Sequence, residues 1–212
     1  MKKYLTEFIG TFFLVLTVVL ANNNPSILPM APLAIAGMYL AMIYAGGHIS
    51  GGHYNPAVTL AVLIRGKIDR GDALYYVIAQ LIASVFAAAI GVFLHDCGNG
   101  GEIAARVNEQ AMCVVLAEFL GTFALAYVVL NVATTRSNAS NSHYGIAIGF
   151  TMLASNYALG GLSGGAFNPA IALGASVAGM FAWDDMGVYL IGTLLGAAAA
   201  ATVFHATYGR ED

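Results

Sequence analysis

Charge is scarce in this chain of 212 residues: Asp, Glu, Lys and Arg together make up 9% of it, and the formal net charge is −3. No basic patch is present, which excludes a nucleic-acid-binding surface as a partner. Histidine and cysteine are equally thin. His48, His53, His95, His143 and His205 are dispersed, so no metal site or other cofactor is expected. Cys97 and Cys113 could pair in an oxidising space, but two unpaired thiols fit the sequence better. No nucleophile stands beside a base anywhere, which argues against an enzyme.

What the chain has in abundance is hydrocarbon. Hydrophobic residues make up 59% of it and the mean hydropathy is +0.76, a composition expected of a polytopic membrane protein. Six long apolar segments stand out, at Tyr4 to Ala21, Ala31 to Gly47, Ala73 to His95, Ala111 to Ala133, Tyr144 to Gly160 and Met186 to Tyr208. Each is long enough to cross a bilayer as a helix. The opening Met1-Lys2-Lys3 and the apolar run behind it have the form of a secretory signal. Two features oppose that reading: Glu7 lies inside the segment, and its phrase returns mid-chain.

One phrase occurs twice. Ser50-Gly51-Gly52-His53-Tyr54-Asn55-Pro56-Ala57 returns as Ser163-Gly164-Gly165-Ala166-Phe167-Asn168-Pro169-Ala170, offset by 168 − 55 = 113 residues, with six of eight positions identical. Asn followed by Pro is a helix start, because the Asn oxygen accepts from a free N–H of the first turn and Pro has no N–H to strand. The apolar stretches that follow run for only about ten residues, half of the ~20 that a spanning helix needs. They are half-helices. A glycine-rich approach with bare carbonyls is tolerated at membrane depth only where it lines a wet cavity. The carbonyls of Gly51, Gly52, His53 and Tyr54, and those of Gly164, Gly165, Ala166 and Phe167, are therefore expected to line a pore.

A second phrase, Glu7-Phe8-Ile9-Gly10-Thr11-Phe12, returns as Glu118-Phe119-Leu120-Gly121-Thr122-Phe123. The expected organisation is one membrane domain over 1–212, with a first repeat in 1–95, an external connecting loop in 96–110 and a second repeat in 111–208. Each repeat holds three spans. Three is odd, so the second copy enters from the opposite side and the half-helices approach from opposite faces, an inverted repeat. With a cytoplasmic N-terminus, Lys2, Lys3, Arg65, Lys67, Arg70, Arg136 and Arg210 lie inside and only Arg106 outside, the bias the positive-inside rule demands. Both termini are then cytoplasmic. Glu7 and Glu118 are carboxylates inside apolar spans, which marks them as functional. Gly10, Gly121, Gly145, Gly149, Gly192 and Gly196 suit close helix contacts.

The paired Asn-Pro-Ala motifs, the Glu-Phe-x-Gly-Thr-Phe phrase and the stretch Gly47 to Thr59 make the chain resemble, end to end, the aquaporin or major intrinsic protein family. The resemblance implies a homotetramer in the cell membrane, each protomer holding its own pore, with the half-helices meeting at the midplane. It implies that Glu7 and Glu118 anchor the two re-entrant loops without touching solute. The capped Asn55 and Asn168 are expected to turn their amide NH2 groups to the lumen, where two helix N-termini also point. Counted by the family's spacing, the outer constriction falls on Ile35, Asn156, Gly165 and Ile171, with no Arg where relatives usually carry one, directly after the second Asn-Pro-Ala. The marks of a glycerol facilitator are also missing, since Ala172 stands where those carry Asp. The sixth span is mixed: Tyr189 matches water channels, whereas Leu190 replaces their Trp and Gly192-Thr193 a common Gly-Pro. The resulting expectation is a passive channel for water and small neutral solutes that excludes ions and protons. A channel preferring glycerol, urea or ammonia is the alternative; an ion-coupled transporter or a closed structural protein fits less well.

Overall fold

The computed structural model describes residues 1–98, 101, 103 and 110–209, and it is all-α. Eight helices are described: α1 (Lys2–Asn22), α2 (Ala31–Ser50), α3 (Pro56–Arg65), α4 (Arg70–Cys97), α5 (Ala111–Thr134), α6 (Tyr144–Ser163), α7 (Pro169–Val177) and α8 (Met186–Tyr208). Six of them, all but α3 and α7, are long and apolar enough to cross a membrane. Arg106 and Arg210, and most of the expected external loop 96–110, lie outside the described residues. Cys97 and Cys113 are free and exposed.

The half-helices are as short as their sequences demand: α3 has ten residues and α7 nine. Two of the long helices run further than hydropathy places them, to Ser50 and Ser163 instead of Gly47 and Gly160. The glycine pairs Gly46-Gly47 and Gly160-Gly161 do not break them. Each stops at the next glycine, Gly51 (φ 90°) and Gly164 (φ 92°), whose left-handed backbone caps the helix and sends its N–H back to Gly47 and Gly160.

Packing interleaves the two halves. In the first half α1 lies against α2 and α4, and in the second α5 lies against α6 and α8, while α2 and α6 meet across the middle. The half-helices cross over: α3 packs on α8 and α5 as well as α4, and α7 packs on α4 and α1 as well as α8. Small residues permit the approach. A Cβ on Gly196 would stand 2.4 Å from the Phe119 carbonyl, and one on Gly149 would stand 2.9 Å from Leu40. Gly10 and Gly121, by contrast, give room not to a neighbouring helix but to the Tyr54 and Phe167 rings of the re-entrant loops, which a Cβ would meet at 2.2 and 2.3 Å. Outward faces carry large apolar side chains, among them Leu5, Phe93, Leu116, Phe150 and Leu195. That is the surface a bilayer solvates.

Candidate functional site

Each re-entrant loop is built the same way. The Ser that ends the preceding helix, Ser50 or Ser163, donates its hydroxyl to a carboxylate, Glu7 Oε1 or Glu118 Oε1, in both cases at 2.7 Å. The same hydroxyl accepts the N–H two residues on, of Gly52 or Gly165. Next in line, the N–H groups of His53 and Tyr54 donate to Glu7 at 3.0 and 2.6 Å, and those of Ala166 and Phe167 to Glu118 at the same distances. Both carboxylates are fully buried. A loop that has left its helix inside a membrane has no water to bond its N–H groups, so an acceptor carried by a neighbouring helix replaces it.

Tyr54 (φ 47°) and Phe167 (φ 48°) then take a left-handed backbone, the only non-glycine residues with positive φ among those described. This reversal turns the chain so that Asn55 and Asn168 can begin α3 and α7. The Asn55 oxygen accepts from the Ala57 and Val58 N–H groups and the Asn168 oxygen from that of Ala170, with Pro56 and Pro169 in the first helical position. The amides do something the sequence does not announce. Asn55 Nδ2 donates to the Phe167 carbonyl at 3.0 Å, and Asn168 Nδ2 donates to the Tyr54 carbonyl at 2.9 Å. Each loop thus clasps the other. One hydrogen of each amide is used in this way and one remains for the lumen, so the expected pair of free NH2 groups is halved.

The carbonyl rows are also partly occupied. Tyr54 and Phe167 give one lone pair each to the opposite Asn, and the His53 carbonyl accepts from the Tyr39 hydroxyl at 3.2 Å. Gly51, Gly52, Gly164, Gly165 and Ala166 carbonyls receive no hydrogen bond from a described residue. The Ser50 and Ser163 carbonyls are held by Tyr76 and Tyr189 hydroxyls, at 2.8 and 2.6 Å.

A cavity opens on each side of the clasp. One, of about 240 Å3, is lined by Ile35, Asn156, Gly165 and Ile171 together with Val18 and Phe181. The four residues expected at the constriction are therefore brought together. Gly165, however, leaves no spare room, because a Cβ there would stand 2.4 Å from Asn156 Oδ1 and its φ is +69°. The amide of Asn156 occupies that space, while its Nδ2 donates to the Met152 carbonyl. Opposite, a cavity of about 330 Å3 is bordered by Ser50, Gly51, His53, Val62, Lys67 and Tyr76. Among the described residues no cluster of His, Cys, Asp or Glu could hold a metal ion.

Polar residues missed in the sequence gather behind the first loop. Gln80 donates to Glu7 Oε2 at 2.8 Å and to the Thr59 hydroxyl at 3.1 Å, and His53 Nδ1 lies 3.1 Å from that same hydroxyl. A lone Gln within the apolar run of α4 was the available signal. Ser84, on the same helix, donates to the Ala170 carbonyl of the second loop. Tyr189 stacks flat on Phe181, with ring centroids 4.5 Å apart.

Residues 1–204 match the family model described as major intrinsic protein. The chain is 37% identical over 211 residues, covering 95% of both sequences, to a glycerol uptake facilitator protein-like 6 from Lactiplantibacillus plantarum. It is 32% identical over 220 residues to aquaporin PIP1-1 from Musa acuminata, covering 95% of this chain and 77% of the relative. In structure it resembles the X-ray structure of the aquaglyceroporin from Plasmodium falciparum, with a TM-score of 0.82 at 20% identity, covering 96% of this chain and 94% of the other.

Proposed function

Because the chain belongs to the major intrinsic protein family, we propose that it forms a passive transmembrane channel for water and small neutral solutes, closed to ions and protons by its paired Asn-Pro-Ala motifs. The observation that carries this reading is the clasp: two half-helix N-termini and two Asn amides converge between two cavities. Each helix N-terminus is equivalent to about half an elementary charge, so a cation there meets two positive ends, while the Glu7 and Glu118 carboxylates behind the loops have their oxygens taken by loop donors. As in aquaporin-type pores generally, that is an electrostatic barrier to protons and cations. A water molecule offers its oxygen to the remaining amide hydrogens, and its own hydrogens then point outward to the open carbonyls of Gly51, Gly52, Gly164, Gly165 and Ala166.

Glu7 and Glu118 act as anchors for the loops, their oxygens already filled by loop donors. Ile35, Asn156, Gly165 and Ile171 form the outer selectivity constriction. The residues 1–95 and 111–208 act as two inverted repeats of a single membrane domain, supported by the matched construction of their loops. The basic residues favour cytoplasmic termini in the cell membrane, and the family resemblance favours a homotetramer. Chemistry belongs to no residue here; the protein is a conduit, not an enzyme.

A second reading, preference for a neutral solute larger than water, is favoured by the lining of the outer cavity. Ile171 supplies a branched hydrocarbon where an arginine fork would offer five donors, so water loses partners there and solutes with apolar surface lose less. Stopped-flow light scattering on proteoliposomes with water, glycerol, urea and ammonia tests both readings. No permeability above protein-free vesicles would sink the channel. In Ile171→Arg the ratio of glycerol to water permeability is expected to fall by roughly tenfold, the rate equivalent of about 1.4 kcal/mol of barrier. An unchanged ratio in a variant that still conducts water would remove Ile171 from the narrowest point.

A further inference from the structure

The largest cavity described is not in the pore. About 650 Å3 in volume, it is a groove in the outer surface, floored by the two half-helices and walled by α4 and α8. Pro56, Thr59, Leu60 and Leu63 of α3 and Pro169 and Leu173 of α7 make the floor; Ala73, Leu74, Val77 and Leu81 stand on one side and Met186, Leu190 and Leu194 on the other. It exists because two short helices laid end to end cannot fill the gap that a single spanning helix would fill. Its lining is hydrocarbon with two exceptions. The Thr59 hydroxyl is turned inward to Asn55, His53 and Gln80. Arg70 stands at the mouth, in the first turn of α4, exposed and without a salt bridge to any described residue.

From Arg70 to Leu81 the α4 wall rises through 81 − 70 = 11 residue steps, about 16 Å at the helical rise, or roughly half the hydrocarbon thickness of a bilayer. The half of the groove floored by α3 therefore runs from the level of one headgroup layer to the middle of the membrane, and the half floored by α7, bordered by Met186 at the start of α8, continues toward the other face. That combination, an apolar half-groove one leaflet deep with a cation at its surface end, matches the shape and charge of a single phospholipid with a net negative headgroup. We propose that the α3 half of this groove is a binding site for an anionic phospholipid, with one acyl chain lying along α3 between α4 and α8 and the phosphate paired with Arg70. A zwitterionic lipid brings its own cation to Arg70 and pairs less well. Lys3 does not compete for the headgroup, being paired with Asp72. The proposal does not depend on which solute the pore carries.

The chain's one tryptophan, Trp183, makes a fluorescence test direct. In a Trp183→Phe background, Leu74→Trp places the only indole at the groove and Phe93→Trp places it on the same helix outside the groove. The protein is reconstituted into mixtures in which either phosphatidylglycerol or phosphatidylcholine carries brominated chains. At position 74 the apparent affinity for phosphatidylglycerol should exceed that for phosphatidylcholine by roughly fivefold, the preference one basic residue gives at an anionic surface. At position 93 the two should be equal, and Arg70→Gln should bring position 74 to equality as well. Added inorganic phosphate should leave the preference intact. Equal quenching at position 74 with Arg70 present, a ratio indifferent to Arg70→Gln, or loss of the preference in free phosphate would overturn the proposal. So would an indole that neither lipid reaches, which would mean that protein covers the groove. Native mass spectrometry of the unsubstituted chain against Arg70→Gln gives the same answer without a new tryptophan: retained phosphatidylglycerol should drop in the variant, and equal retention overturns the site.

Discussion

The two re-entrant loops share a backbone and differ in what stands behind it. Around the second loop, the carboxylate of Glu118 accepts three donors, two from the loop and one from Ser163 at the helix end that leads into it. Around the first, Glu7 accepts the equivalent three and a fourth from Gln80, which is tied through Thr59 to His53. At the positions corresponding to Gln80, Thr59 and His53 the second half has Thr193, Ala172 and Ala166. Thr193 turns its hydroxyl back to the Tyr189 carbonyl of its own helix and leaves Glu118 alone. What the pore needs from both halves is the positioned Asn and its reversed neighbour. The rest is free to differ, and here one half rests on a polar network while the other rests on methyl groups.

Removing the anchors probes this difference most severely. Each buried donor left without an acceptor costs about 1–3 kcal/mol. Glu7→Ala and Glu118→Ala should therefore both melt well below the parent in detergent, with little material recovered as a single species on size exclusion. Glu7→Ala, stranding four donors against three, should be the worse. Recovery of Glu7→Ala at or above the level of Glu118→Ala would mean that the network does not support the first loop.

Gly10→Ala and Gly121→Ala press on the shared part instead. Each sets a Cβ against the ring of the reversed residue, and overpacking of this kind costs about 1–3 kcal/mol. The Phe167 ring has only packing to give up, whereas the Tyr54 ring is also held by its hydroxyl on the Met42 carbonyl at 2.9 Å. Thermal melts should rank Gly10→Ala as the more damaged, and water permeability should fall in both. Equal melting temperatures would show that the hydroxyl bond does not restrain the ring.

The mildest pair isolates the network. Gln80→Leu removes a donor from Glu7 and should cost about 1 kcal/mol or somewhat more, whereas Thr193→Val loses a bond to its own helix and should cost less than about 0.5 kcal/mol. The melting temperatures should separate in that order. If Thr193→Val proves the more harmful, the second half depends on a contact not assigned to it above.

Much of this was legible beforehand because the relevant signals are local. Asn-Pro followed by ten apolar residues fixes a half-helix from its own chemistry, and a glutamate in an apolar span is conspicuous wherever it occurs. The clasp was not legible. Asn55 and Phe167 are sequence-distant, and nothing in either residue's neighbourhood says that one will donate to the other. Nor does a glycine state what it makes room for: Gly10 and Gly196 look alike in sequence, yet one receives a tyrosine ring and the other a helix backbone. Gly165 shows the same limit in reverse, since its missing side chain suggests open space that the Asn156 amide in fact fills.

The clasp also has a history in time. Asn55 leaves the ribosome 113 residues ahead of Asn168, and at about 5–20 residues per second that is a wait of roughly 6 to 23 seconds. Glu7 is already made when that interval begins and Gln80 follows 80 − 55 = 25 residues after Asn55, whereas the second loop is absent to its end. The first loop is then held by the first half alone, through its polar network and through the hydroxyls of Tyr39, Tyr54 and Tyr76. The second loop arrives to find its partner already in place and can close on it at once, so the half that is synthesised first is the half with more to hold it.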